Sequence, residues 1–489
     1  MDYSLFEKAS AVPEASSMIE TFRAIGYKLE TAIADIVDNS ISADAKNIYV
    51  DRIWKGGKSL ITVLDDGRGM NSNEIIQALR PGAQNPLTER SETDLGRFGL
   101  GLKTASFSQC RKLSVLSKRK GYVPAYWSWD LDYVASSKKW ELIRWIPEGF
   151  INRLDDYQSG TLVIWTDLDR IVPHDTPETD ENAKIKFSFV LDKMKKHLAM
   201  TFHRFIEEKI INIYWCNHKI EPWNPFCPGE QKIQSMPTDQ LPSGASMKGY
   251  ILPHKNNFSS EKAFKEAEGI NGWAAQQGFY VYRGKRLLLA GDWLGFFRKE
   301  EHYKLARIQV DLPNKLDVLW QIDIMKSKAA PPSSCKDQME SYAKSVRAIA
   351  TEVYRHRGRI LKQRAGQEFQ PLWLEKKKDS KWSFVVNRDH AMVKELKELA
   401  KLKPAYAIDT LLRFIEEAIP TKTIYINEAK SEEVQKTPYS DMDENLIKEI
   451  LSTMYKNQLE QGSTSEQAKS YLKTVEPFNN YEDLIDELC

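Results

Sequence analysis

From Gly96 to Thr104 the chain reads Gly-Arg-Phe-Gly-Leu-Gly-Leu-Lys-Thr, and no other stretch narrows the choice of fold as much. Glycines let a backbone approach a ligand without a Cβ in the way, and the residues that follow predict a helix, whose first N–H groups have no partner inside it. Gly96, Gly99, Leu100, Gly101, Lys103 and Thr104 are therefore a candidate phosphate cradle at a helix start. Leu102 intervenes between the last glycine and Lys103, and that misplaced lysine argues against a P-loop. Taken alone, the segment reads equally well as a glycine-rich turn with a solvent-facing lysine.

Two segments upstream carry complementary chemistry. In Asp35-Ile-Val-Asp-Asn39-Ser-Ile-Ser-Ala-Asp44 an acid and an amide four residues apart share a helix face. Asp35 there can orient and deprotonate a water, and the Asn39 amide oxygen can ligate Mg²⁺ beside a triphosphate; a polar helix face ending in an asparagine cap is the plainer reading. In Leu64-Asp65-Asp-Gly67-Arg-Gly69-Met70, at a predicted strand end, Asp65 can accept a hydrogen bond from an adenine amino group while the glycines bring backbone close to the base. Such a sequence also forms ordinary turns.

The three segments, in this order on helix, strand end and loop-helix, resemble the GHKL superfamily (gyrase, heat-shock chaperone, histidine kinase, MutL). The run from Ile25 to Cys110 is similar to MutL/MORC-like ATPases of bacterial restriction and anti-phage systems. The resemblance implies an α/β sandwich binding ATP and Mg²⁺ under a flexible lid, N-terminal dimerisation on ATP, and a transducer domain that places a lysine on the γ-phosphate. Asp35 then falls at the general-base position, Asn39 at the Mg²⁺ ligand and Asp65, with Gly67, Gly69 and Met70, at the adenine. Gly96, Gly99, Leu100, Gly101, Lys103 and Thr104 fall at the phosphates. Ser159-Gly160-Thr161 resembles the Gly-Thr strand whose threonine backs the adenine-side carboxylate, and Lys326, with Lys328 as alternate, falls at the γ-phosphate lysine. Two exposed lysines closing a strand are the plainer reading of that pair. Many family members have Glu at the Asp35 position; a carboxylate set about 1.5 Å further back can cost on the order of 100-fold in rate, so slow turnover is expected.

The rest of the chain reads as mixed. Apolar spacing predicts two helices around Gly26, strands at 47–54 and 59–64 joined through Lys55-Gly-Gly-Lys58, a loop at 81–98, and strands at 113–117, 122–129, 140–146 and 161–166. Helix is predicted over 183–210 and 338–364, with a hairpin over 278–289 turning at Arg283-Gly-Lys285 and strands at 306–312 and 320–325. The expected architecture is α/β: a GHKL (Bergerat) sandwich over 1–170, a smaller α+β transducer-like domain over 171–332, a basic helical or mixed region over 333–430 and an acidic helical domain over 431–489. In that last segment Leu446, Ile450, Met454 and Leu459 mark an apolar helix face.

Charge sharpens the partner question. Between Lys336 and Lys381 there are twelve Lys/Arg against six Asp/Glu, and from Ser431 to Cys489 five Lys against thirteen Asp/Glu, so the first stretch could neutralise duplex DNA phosphates and the second would repel them. Scattered cysteines and the lack of a leader or an apolar span point to a cytoplasmic protein. No nuclease motif is visible, so cleavage would need a partner, helicase-like or nuclease, supplied in trans.

Overall fold

The computed structural model describes residues 4, 6–9, 11–82, 101–313, 316, 319–322, 329–355, 372–378, 381–390, 392–394, 397, 412–413, 415–416, 444–460, 462–475, 478 and 481–488. They fall into two compact units, 1–358 and 359–489. Gly96, Gly99, Leu100, Lys326, Lys328, most of the 81–98 loop and the basic run after Arg355 lie outside the described residues.

Ala15–Arg23 (α1) and Leu29–Ser42 (α2) flank Gly26, which takes φ 84°, a left-handed conformation that glycine adopts without penalty. The hairpin follows as predicted, Asn47–Ile53 (β1) and Leu60–Asp65 (β2). Ser72–Leu79 (α3) opens with a capping box between Asn71 and Glu74. Gly101–Phe107 (α4), Lys112–Lys118 (β3), Ala125–Asp130 (β4), Leu131–Ser137 (α5) and Gly160–Thr166 (β5) come next. Then Glu181–Thr201 (α6) and His203–Glu207 (α7) return the chain to Asn212–Trp215 (β6) and His218–Lys219 (β7).

These strands form one seven-stranded sheet ordered β4-β3-β5-β2-β1-β6-β7. All its pairs are antiparallel except β1 with β6, and a parallel pair needs a long crossover, here supplied by α6. The sheet consequently runs on to residue 219, well past residue 170. Alternation along the strands divides two cores: Val63, Val163 and Trp165 face the helices, whereas Leu60, Leu162 and Ile164 face Phe150 and Leu154. The strand predicted over 140–146 does not form; the segment makes one bridge, Ser128 with Ile143. Its apolar residues are drawn to different cores, Trp140 and Leu142 to the helical side and Ile146 to the other, so it crosses the sheet edge instead of running along it.

The second sheet of the first unit joins Gln234–Ser235 (β8), Asp239–Gln240 (β9), Ser246–Ile251 (β10), Gly278–Arg283 (β11), Arg286–Asp292 (β12) and Ala306–Leu312 (β13), with Glu261–Ala267 (α8) between β10 and β11. Its order is β12-β11-β13-β10-β8, with β9 on β10. Ser333–Arg355 (α9) begins five residues before the helix predicted from Gln338 and buries Met339, Ala343, Val346 and Ala350 on this sheet. Of the strand predicted over 320–325, the described residues Trp320 and Gln321 form a turn.

The second unit contains a hairpin, Trp373–Lys378 (β14) with Lys381–Val386 (β15), and helices Glu444–Glu460 (α10), Ser465–Leu472 (α11) and Glu482–Asp486 (α12). The helix expected in the acidic segment is present, but its buried face is Ile447, Leu451, Met454 and Tyr455, while Leu446 and Leu459 are exposed. The face is chosen by α11, whose Ala468 and Leu472 share that core. Among the described residues no helix is long and apolar enough to cross a membrane.

Candidate functional site

The sequence-predicted residues converge on α2. Asp35 is 3% exposed and Asp38 1%, whereas Asn39, one residue on, is exposed, so the helix presents an amide at the surface beside a buried acid. The i,i+4 spacing puts Asp35 and Asn39 on one face. Gly101 opens α4 against that face: a Cβ on it would lie 3.7 Å from Asp35 Oδ2.

The next residue of α2, Ser40, reaches the strand end. Its hydroxyl donates to Asp65 Oδ2 at 2.8 Å, and the Gly67 N–H donates to Asp65 Oδ1 at 2.9 Å. Burial pushes the Asp65 carboxyl above the usual carboxylate range, with the Ser40 and Gly67 donors pulling it back. The preceding alternation separates Asp65 from Asp66, because neighbouring strand residues point to opposite sides. Asp66 accepts from the Lys46 and Asn47 backbone and from the Asn47 side chain, which makes it the anchor of the turn. Gly69 sits at φ 64° and a Cβ there would lie 1.9 Å from the Lys118 carbonyl oxygen, so this turn admits no side chain at that position.

Thr161 pairs in register with Asp65 across β5 and β2. The Ser117 hydroxyl lies 2.8 Å from the Thr161 hydroxyl and accepts from the Met70 N–H at 2.8 Å, which ties the strand-end turn to β3. Lys103, predicted at the phosphates, has its ammonium on the Ala78 carbonyl at 2.9 Å and is 3% exposed. Burial lowers its pKa to about 8. In this structure it closes the C-terminal end of α3, and a phosphate contact would require it to leave that carbonyl. Thr104 is fully buried in α4.

Three residues that sequence reasoning passed over complete the site. Ser40 and Ser117 hold Asp65 and Met70, as above; Ser40 stood inside the quoted motif without a role. Tyr27 donates its hydroxyl to Asp35 Oδ2 at 3.0 Å. No spacing rule marks Ser117, which arrives on a strand 47 residues after Met70.

Residues 27–161 match the family described as histidine kinase-, DNA gyrase B- and HSP90-like ATPase, a span that holds every predicted site residue except Lys326 and Lys328. This segment is a GHKL-type ATPase domain, a class that binds ATP. The chain is 32% identical to the ATPase morc-1 of Caenorhabditis elegans over 95 residues, 19% of this chain and 11% of that protein. It is 38% identical to the DNA mismatch repair protein MutL of Dictyoglomus turgidum over 90 residues, 18% of this chain and 16% of that one. The chain thus spans between a tenth and a fifth of the length of these relatives. In fold it is similar to the ATPase and transducer domains of DNA topoisomerase II from Balamuthia mandrillaris, at 12% identity and a TM-score of 0.37 over 67% of this chain and 85% of that one.

The residues fit such a nucleotide. A carboxylate has about four acceptor positions, and Asp65 retains capacity beyond its Ser40 and Gly67 donors. The exposed Asn39 is the group of α2 that would hold a Mg²⁺ ion, with phosphate oxygens and water, an arrangement usual for this ion.

Proposed function

We propose that the chain is an ATP-driven switch that hydrolyses ATP slowly with Mg²⁺, closes as a homodimer while ATP is held, and clamps DNA or engages partner proteins. The observation that carries this reading is the meeting on α2 of Asp35, the exposed Asn39 and, through Ser40, Asp65, with Gly101 against Asp35. Asp65 accepts from the adenine amino group, with the backbone of Gly67, Gly69 and Met70 alongside and Thr161 behind. Gly96, Gly99, Leu100, Gly101 and Thr104, with Lys103, are assigned to the phosphates on the family resemblance. Asn39 would hold the metal, which when bound would neutralise charge on the phosphate oxygens. Asp35 orients a water and takes its proton, and Lys326, or Lys328, reaches the terminal phosphate.

The DNA part is supported by the basic 336–381 stretch and by the resemblance to MutL. One of its cations is already committed: Arg347 lies over the Tyr303 ring at 3.8 Å and the Phe297 ring at 3.9 Å. Cytoplasmic anti-phage defence alongside a helicase-like or nuclease partner is supported by the family resemblance, and phage plating on cells carrying native or Asp35→Ala protein tests it.

A second reading, a nucleotide-gated module that binds ATP without turnover, is favoured by the short Asp35 side chain, one of whose oxygens already accepts from Tyr27. Phosphate release by purified protein with Mg²⁺, with and without duplex DNA, separates the two. Turnover that disappears in Asp35→Ala establishes the hydrolase; ATP binding with no release, recovered in Asp35→Glu, establishes the module; no ATP binding refutes both.

A further inference from the structure

Arg286 is the first residue of β12 in the second sheet, yet its guanidinium is buried against α2 of the first. The side chain is 4% exposed. Its Nε donates to Asp38 Oδ2 at 2.7 Å and lies 2.9 Å from Oδ1, and its Nη2 stands 3.6 Å from Asp35 Oδ1. Nη1 donates to the Leu287 carbonyl at 3.2 Å, and the Phe202 ring lies below at 5.9 Å. Asp35 Oδ2 is the oxygen that accepts from Tyr27, so each oxygen of this carboxylate faces a different fixed cation or donor.

The turn that delivers Arg286 is itself secured. Gly284 takes φ 58°, and Lys285 pairs with Glu208, just past α7. His197 on α6 is held neutral, its pKa lowered to about 4 by burial and then by the Arg286 charge. A buried ion pair is a poor way to add stability, because the desolvation of both partners roughly cancels their attraction. Its geometric effect is definite, however: a planar guanidinium held on Asp38 has one orientation, and that orientation aims Nη2 at Asp35.

We propose that Arg286 is the positioning residue for the Asp35 carboxylate, and that through it the docking of the 278–292 hairpin on α2 sets the rate of hydrolysis. This rests on the reading of Asp35 as the base. With both oxygens held, by Tyr27 and Arg286, the short aspartate keeps one orientation against Gly101. When the hairpin withdraws, Asp38 and Asp35 lose their shared cation, and the base loses its aim. The link also gives the second sheet a route to the reaction that needs no direct contact with nucleotide.

The test is steady-state ATP hydrolysis by the full chain and its Arg286→Gln and Arg286→Lys variants, each assayed at least 10 °C below its own melting midpoint, with ATP binding measured in parallel. About a 1 Å misplacement of a reacting group costs on the order of 100-fold, so Arg286→Gln is expected to lower kcat by roughly 10- to 100-fold with little change in KM or ATP affinity. Arg286→Lys, which restores the charge without the fork, is expected to recover part of that loss. Unchanged or increased kcat in Arg286→Gln, a loss appearing wholly in KM, or Arg286→Lys no better than Arg286→Gln overturns the proposal. Absence of turnover in the native chain is a separate result: it removes the Asp35 base reading, and Arg286 with it.

Discussion

Replacing Asp65 with asparagine should separate nucleotide affinity from folding. The carboxylate accepts from the Ser40 hydroxyl at 2.8 Å and from the Gly67 N–H at 2.9 Å. An asparagine can keep its amide oxygen on the Gly67 N–H and turn its NH₂ toward Ser40, whose hydroxyl rotates to accept. Both internal hydrogen bonds survive. The buried charge does not, and burial is what raises the Asp65 pKa. A carboxyl with a raised folded-state pKa contributes stability that is complete below its unfolded value and is lost as pH rises through the folded one, so ionisation of this side chain is a net cost to folding. The Asp65→Asn melting midpoint at pH 7 is therefore expected to equal or exceed the native one, with any gain shrinking as pH falls into the carboxylate range. For ATP the same change replaces the acceptor of the adenine amino group with a donor. A hydrogen bond to a charged group contributes about 1.5–3 kcal/mol, which is roughly a 10- to 150-fold rise in Kd. Titration calorimetry with a slowly hydrolysed ATP analogue and Mg²⁺, paired with thermal melts, reads both quantities. A Kd within threefold of native would show that Asp65 is not the adenine contact, and a large fall in melting midpoint would show that its charge holds the fold.

Two further perturbations follow from the same geometry. Gly69→Ala combines left-handed strain of about 1–2 kcal/mol with overpacking of about 1–3 kcal/mol, since its Cβ would meet the Lys118 carbonyl. Gly82→Ala, at φ 68° with nothing within 4 Å, carries the strain alone, so in chemical denaturation Gly69→Ala should be the more destabilised and the weaker ATP binder; equal losses refute the packing argument. Lys103 has its pKa lowered to about 8 by burial, so as pH rises above 8 the folded chain sheds a proton that the unfolded chain still holds, and stability rises by at most about 1.4 kcal/mol per pH unit. Melts from pH 7 to 9.5 should show that gain in the native chain and not in Lys103→Met; identical profiles would mean that the lysine is solvated.

Much of this protein was legible in short-range pattern. The helices around Gly26, the hairpin through residues 55–58, the β11–β12 hairpin and the positions of Asp35, Asn39, Asp65 and Gly101 all follow from spacings of two to five residues, which backbone geometry alone interprets. The misreadings have a common origin in packing between elements distant in sequence. Residues 140–146 alternate like a strand, yet Trp140 and Ile146 belong to opposite cores. The α10 helix turns Ile447 inward in place of Leu446 because α11 supplies the facing surface. Only the fold puts the Ala78 carbonyl beside Lys103, a contact the lysine would leave to meet a phosphate. Nothing local announces that Arg286 will lie on Asp38, 248 residues away, or that Ser117 will meet Met70. The sequence by itself determined which residues are candidates to carry chemistry, because that depends on residue type and near-neighbour spacing. Only the tertiary structure decided which of them are buried together and which are held by which partner, because desolvation and hydrogen bonding depend on what the whole chain brings alongside.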